Sequence, residues 1–255
     1  MLVSVITPTW NRERFLPQLL ACFGAQTYPE LELLILDDSA RPAALFQPGG
    51  VSDPRIRYTH LPARMTIGEK RNRLVEQARG SIVVQFDDDD YYAPRYVERM
   101  VQNLGNNDLV KLGGWFGYSV PKGEFFYWDT SRMAEVHLVL GPGEPLAALP
   151  VHGDVTPFIE KNLWGYGFSY VFRKHAFRMA RFESLDLGED YAFTSAVRAA
   201  GCSVSHCSDT EGLVLHILHG DNISRVFPQY ILPPFLLHRI FPAMPGITVP
   251  GTTPP

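Results

Sequence analysis

The chain is poor in cysteine: Cys22, Cys202 and Cys207 are the only three in 255 residues. They are too few and too scattered for a disulfide framework, and no two form a Cys-x-x-Cys pair. Reduced or core thiols in a cytoplasmic protein are the expectation. An excess of positive charge is also missing. Lys and Arg number 23 against 27 Asp and Glu, a formal net charge of -4, which excludes a strongly basic nucleic-acid binder. No run reaches the ~18 apolar residues of a membrane-spanning helix. The nearest candidate, within 226–241, is broken by Pro228, Pro233 and Pro234 and carries His238 and Arg239. Residues 226–255 therefore read as a Pro-rich extension, with 226–241 packed on the domain or making a peripheral contact with a membrane or partner. The N-terminus has neither the basic region nor the apolar length of a signal peptide. No zinc motif, Gly-x-Gly-x-x-Gly or Walker loop appears, so dehydrogenase and ATPase readings lack support.

What is present is alternation. Apolar runs at Leu2–Ile6, Glu32–Leu36, Ile56–His60 and Ser81–Phe86 read as buried strands. Helical spacing at Arg14–Gln26, Gly68–Arg79 and Pro94–Leu104 separates or follows them. This order implies βαβ units and a mostly parallel sheet, in which ligands bind at the carboxyl ends of the strands. Three polar clusters stand at such ends: Thr7–Asn11, Asp37–Ser39 and Asp87–Asp90. The second half differs. Leu109–Ser119 and Glu124–Asp129 read as a hairpin through Pro121-Lys-Gly123. Residues 141–157 read as a loop or lid, with 141–164 mobile over a ligand. Gly165-Tyr-Gly167 leads into a strand at Phe168–Arg173. Asp190–Ala200 is a helix stopped by Gly201. Val204–His206 and Leu213–Ile217 read as short strands, and the tail after Gly246 as loose.

The sharpest feature is Asp87-Asp-Asp-Asp90. Four adjacent carboxylates repel one another, and oxygen ligands suit Mg²⁺ or Mn²⁺. The plainer alternative is a solvated turn whose aspartates cap the following helix. Its place at a parallel-strand end, beside two other polar strand ends, favours the metal.

Further motifs extend the pattern. Val3-Ser-Val-Ile-Thr-Pro-Thr-Trp-Asn-Arg12, Gln26-Thr-Tyr-Pro29, Leu34-Ile-Leu-Asp-Asp-Ser39, Gly68-Glu-Lys-Arg-Asn72, Phe86-Asp-Asp-Asp-Asp-Tyr91, Gly165–Phe172 and Gly188-Glu-Asp190 follow in order. Together the chain resembles a family 2 glycosyltransferase of the GT-A fold over roughly residues 2–222. The resemblance implies an α/β fold with a Rossmann-like, mostly parallel central sheet and helices on both faces. It implies one domain over 1–225, with a nucleotide-sugar half (1–105) and an acceptor and catalytic half (106–225).

The resemblance also implies roles. Pro8, Thr9, Trp10 and Asn11 would cradle the donor's base. Asp38 would accept the uracil N–H, although Asp37 stays open as the alternative. Gly68, Lys70 and Arg71 would meet phosphate or base, or else form a solvated helix face. Asp87 or Asp88 would touch the ribose and Asp89 the metal, with an ambiguity of one in register. Asp190 would be the general base of an inverting displacement, oriented by Glu189, unless the two acids only complement a helix dipole. His219, or His216 as the alternative, would join the metal and tilt it towards Mn²⁺. Trp164 and Tyr166 are the aromatics expected near the acceptor, which would be a carbohydrate, a lipid-linked glycan or a protein. Two other classes compete: a nucleotidyltransferase, for which Thr7–Arg12 lacks a glycine-rich basic loop, and a nucleotide-sugar or glycan-binding protein without turnover.

Overall fold

The computed structural model describes residues 1–141, 146–220, 222 and 225–244. In chain order the first elements are β1 (Val3–Thr9), α1 (Leu16–Gly24), β2 (Leu31–Asp37), β3 (Ile56–His60), α2 (Ile67–Gln77), β4 (Ile82–Gln85), β5 (Tyr91–Tyr92) and α3 (Tyr96–Leu104). Next come β6 (Leu109–Ser119), β7 (Glu124–Asp129), β8 (Val136–Val139), β9 (Ala147–Pro150) and α4 (Thr156–Trp164). The last are β10 (Val171–Arg173), α5 (Lys174–Met179), α6 (Glu189–Ala199), β11 (Val204–Ser208), β12 (Val214–Leu218), β13 (Tyr230–Leu232) and α7 (Leu236–Ile240).

The chain divides into two compact units. The first holds Met1–Asp89, Pro94–Lys111 and Trp164–His206, and the second holds Asp90–Ala93, Leu112–Leu163 and Cys207–Pro255. Segment 226–244 belongs to the second unit, where β13 pairs with β7.

The first unit carries the expected α/β core. Its strands run in the order β3-β2-β1-β4-β10, parallel from β3 to β4, with β10 antiparallel. The sheet is therefore mixed but mostly parallel. Every residue of β2 is buried, which fits a strand covered on both faces. Leu34 and Leu36 share one cluster with Leu74 and Val75 of α2, Phe177 of α5 and Phe193 and Val197 of α6. The start of α2 is set by a capping box: the Thr66 hydroxyl accepts from Glu69 N–H at 3.2 Å, and the Glu69 carboxylate accepts from Thr66 N–H at 2.8 Å.

In the second unit β7 and β13 extend β6 antiparallel, while β12 lies parallel to β6 and antiparallel to β5. Its core is aromatic. Trp115 and Trp128 are fully buried with ring centroids 5.2 Å apart.

Several sequence expectations are corrected. Residues 141–157 are not an open loop throughout. β9 pairs with β8 and α4 begins at Thr156, so short elements survive among the Pro and Gly; residues 142–145 lie outside those described. Phe168–Arg173 is a strand only from Val171, because Gly167–Ser169 forms a 3-10 turn. Pro94 precedes α3 rather than opening it, and its carbonyl accepts Thr27 N–H at 2.8 Å. The tail after Gly246 lies outside the described residues. Among the described residues no helix is long and apolar enough to cross a membrane. In segment 226–241, Tyr230, Ile231 and Phe235 are exposed.

Candidate active site

The polar clusters at the carboxyl ends of β1 and β2, together with the start of the run after β4, lie in the first unit. At the end of β2 the two aspartates separate by their donors. Asp37 accepts Ser39 N–H at 2.9 Å and Tyr58 O–H at 2.6 Å, besides the Ser39 hydroxyl. It therefore holds its own turn. Asp38 accepts Lys70 Nζ at 2.7 Å on one oxygen, and Arg64 Nη1 at 2.8 Å and Met65 N–H at 2.7 Å on the other. Lys70 is buried too and also donates to the Thr9 carbonyl at 3.0 Å. Burial pushes its ammonium below the usual lysine range, and Asp38 opposes that shift. The solvated-face alternative for Lys70 and Arg71 is thereby corrected: both side chains are buried in ion pairs. The Asp38 side chain is itself 0% exposed, covered by Arg64, whose guanidinium also lies 4.5 Å over the Trp10 ring. Trp10 is 45% exposed at a strand end, with Arg64 over one part of its ring.

Pro8 and Thr9 end β1. The Thr9 hydroxyl donates to Asp88 at 2.6 Å. Asn11 has φ +54°, a left-handed conformation asparagine tolerates, and its N–H donates to Ser39 Oγ at 2.7 Å. Gly68 has a packing reason. A Cβ there would stand 1.8 Å from the Glu183 carbonyl oxygen, so only glycine lets α2 start against that segment.

The aspartate run after β4 is arranged differently. Asp87 and Asp89 bring carboxylate oxygens within 4.8 Å of one another. Arg12 donates to Asp88 at 3.0 Å and to Asp89 at 2.7 Å. Burial, then the charge of Asp89, pushes the Asp88 carboxyl up to about 6 against the pull of Arg12 and Thr9. Arg12 lies within the motif that carried the resemblance, yet no role was read for it. Its spacing after β1 was the available signal. An oxygen-only set of this density fits a hard divalent cation.

The acidic start of α6 completes the first unit's site. Arg71 donates to Glu189 and reaches Asp87 at 3.5 Å, so one buried guanidinium joins the aspartate run to the helix start. Burial raises the Glu189 carboxyl, Arg71 opposes this, and Asp190 adds to it. Asp190 is half-buried and accepts Gly167 N–H at 2.8 Å and Tyr191 N–H at 2.7 Å. A Cβ on Gly167 would stand 3.0 Å from each of Arg71 Nη1, Asp190 Cβ and Gln85 Oε1, which explains the glycine. Gln85, Lys111 and Arg64 were not singled out from sequence. Trp164 is buried under Arg198 at 4.5 Å and against His206, so its ring is packing. Tyr166 is partly buried with φ +60°, and its hydroxyl is raised by burial and by Asp190.

In the second unit, Asp90 accepts Ile217 N–H at 2.9 Å and faces His216 Nδ1 at 2.9 Å. His219 is buried, and its backbone N–H donates to the Asn222 side chain. His216 is thus the histidine set against a member of the aspartate run.

The chain and its fold resemble known proteins. The chain is 28% identical over 206 residues to the uncharacterized glycosyltransferase EpsJ of Bacillus subtilis, covering 78% of this chain and 57% of that one. Its fold matches the crystal structure of S. aureus TarS 1-349 in complex with UDP-GlcNAc, with TM-score 0.60 at 18% identity over 87% of this chain and 60% of that one. It also matches the mannosyltransferase PcManGT from Pyrobaculum calidifontis in complex with GDP-Man and Mn²⁺, with TM-score 0.53 at 16% identity over 84% and 56%. The chain spans little more than half the length of each of these proteins. The fold is that of the GT-A glycosyltransferases. The model of glycosyl transferase family 2 matches residues 4–185, and the chain belongs to that family.

Proposed function

We propose that the chain transfers a glycosyl group from a nucleotide-sugar donor, a UDP-sugar, to a hydroxyl acceptor with inversion of configuration. The observation that carries this reading is the Arg71 bridge. It ties Asp87 of the aspartate run to the Glu189-Asp190 pair within one unit, so a donor-side cation site and a candidate base belong to one charge network. Trp10 supplies a face for the base, and Asp38 becomes available to it once Arg64 moves aside. Asp89 and Asp87 would hold Mn²⁺ or Mg²⁺, whose chemistry is to offset the charge of the departing diphosphate. Asp190 takes the proton of the acceptor hydroxyl as that oxygen bonds to the anomeric carbon. The bond to the diphosphate breaks on the opposite side, and its electron pair leaves with the diphosphate. Glu189, pinned by Arg71, keeps the start of α6 in place. The acceptor is a carbohydrate, a lipid-linked glycan or a protein, and the reaction is expected in the cytoplasm, with 226–241 as a peripheral contact.

The test is release of UDP from a panel of UDP-sugars in Mn²⁺. Turnover of one donor, lowered ~10²–10⁴-fold by Asp190→Asn with donor binding retained, is the expected result. Binding without any UDP release across the panel would leave the binding-protein reading in its place.

A further inference from the structure

Lys111 stands in β6 between Leu109, Val110 and Leu112, and all four side chains are buried. A buried ammonium is strongly disfavoured unless it is paired, and a lysine on a strand normally carries its charge to water. Packing alone would be served by Leu or Met, so the charge needs a reason. Its hydrogen bond supplies one. Lys111 Nζ donates to the Gly165 carbonyl at 2.7 Å.

Gly165 opens a short segment pinned at successive peptide groups. The Trp164 carbonyl accepts the Thr194 hydroxyl at 2.7 Å and the Tyr170 hydroxyl. Thr194 lies on α6, one turn beyond Asp190. Tyr166 then takes φ +60° and ψ 69°, a left-handed conformation unusual for a residue with a Cβ. Such a residue persists only where its surroundings over-determine it. The next residue, Gly167, donates its N–H to Asp190 at 2.8 Å. The path from Lys111 to Asp190 therefore runs through one carbonyl, one constrained tyrosine and one amide. Every member lies in the first unit. Asp190 also acts on Lys111 by charge. Burial lowers the ammonium to about 7, and Asp190 opposes that shift.

We propose that Lys111 is a positioning residue for Asp190, holding the Gly165 carbonyl so that the Gly167 N–H presents the carboxylate in a single orientation. This rests on the reading of Asp190 as the general base. A second face of the same segment supports it. The Gln85 side-chain amide is buried beside Gly167, and among the described residues no hydrogen bond reaches either of its polar atoms. The Gln85 side chain therefore does not tether the turn, and the side-chain tethers are those of Lys111, Thr194 and Tyr170.

The experiment is a double-mutant cycle on the full chain, read as UDP released from a turned-over UDP-sugar in Mn²⁺ with water taking the acceptor's place. Lys111→Met should lower kcat about 10- to 100-fold with the donor KM within about twofold. In the Asp190→Asn background, Lys111→Met should add less than about twofold, because its effect passes through the carboxylate. Amide hydrogen exchange at Gly167 should quicken in Lys111→Met while the amides of β1 and β2 keep their protection, which separates a local loosening from a folding defect. Equal fold-losses in both backgrounds, or unchanged kcat in Lys111→Met, would overturn the proposal. Near-normal turnover by Asp190→Asn alone would instead overturn the role of the base. If Lys111→Met fails to fold, Lys111→Gln is used in the same cycle, since its amide still donates to a carbonyl; kcat loss smaller than tenfold with Gly167 protection retained is then expected, and full loss with protection retained counts against the proposal.

Discussion

Asp37 ends β2 and Asp38 follows it, and Asp87 and Asp88 follow β4, so paired aspartates stand at the carboxyl ends of two parallel strands. The two pairs have opposite surroundings. At the first, distant donors converge: Tyr58 and Ser39 on Asp37, and Lys70, Arg64 and Met65 N–H on Asp38. At the second, carboxylates face other carboxylates within 4.8 Å, with Arg12 on Asp88 and Asp89 and Arg71 on Asp87. A carboxylate surrounded by donors is a fixed acceptor. Carboxylates crowded on each other keep charge to share with a cation brought from solution. Residue type alone does not separate the two; the donors do.

The strongest way to break this contrast is Lys70→Met. It leaves Asp38 with Arg64 and Met65 but removes the buried ammonium, and should cost about 3 kcal/mol of unfolding free energy in urea. A loss below about 1 kcal/mol would mean that Asp38 is not held as a buried acceptor. Next in size is the response to metal. Mn²⁺ at a hundredfold excess over its Kd should stabilise the protein by about 2.7 kcal/mol. Asp89→Asn should abolish that gain and Asp37→Asn should keep it. A gain that survives Asp89→Asn would place the cation elsewhere.

A third measurement carries the contrast to another buried cation, Lys111. Lys111 titrates at about 7 when folded, against an ordinary lysine value of 10.5. Between these values the unfolded chain holds a proton that the folded chain lacks, so stability rises with pH through that window. Below about 7 the full penalty of burying the ammonium remains. From pH 7 to pH 9 the gain should be about 2 kcal/mol relative to Lys111→Met. Parallel stability curves for the two proteins would show that Lys111 titrates normally.

Much of the first unit was legible because its strands are continuous apolar runs. β1, β2 and β4 could be placed, and with them the strand ends that carry the site. The strand at Phe168–Arg173 was read too long and without its antiparallel direction, because three residues after a 3-10 turn carry no pattern of direction. β8, β9 and α4 were hidden by Pro and Gly, which ordinarily break elements. Asp190, Glu189 and the aspartate run were legible as motifs. Their partners were not: Arg12 reaches Asp88 across 76 residues, and Arg71 reaches Glu189 across 118. Lys111 was hidden for a different reason. It sits in a strand that sequence placed correctly, but a lysine's burial depends on what covers it.

The smallest effect tests the donor-rich side one bond at a time. Tyr58 stacks on Phe46 with ring centroids 4.2 Å apart, so Tyr58→Phe keeps the ring and its packing and removes only the hydroxyl. That hydroxyl donates to Asp37 at 2.6 Å and accepts Ala43 N–H at 2.9 Å. Burial, reinforced by Asp37, raises the phenol above its ordinary range, so it remains an O–H donor throughout the neutral range. A hydrogen bond to a charged group contributes about 1.5–3 kcal/mol. Ser39 still supplies two donors to Asp37, so the loss should fall at the lower end, about 1.5 kcal/mol, with the Mn²⁺ response unchanged. If Tyr58→Phe weakened the Mn²⁺ response as well, the two aspartate pairs would be one coupled network, and the contrast between fixed acceptor and cation site would fail.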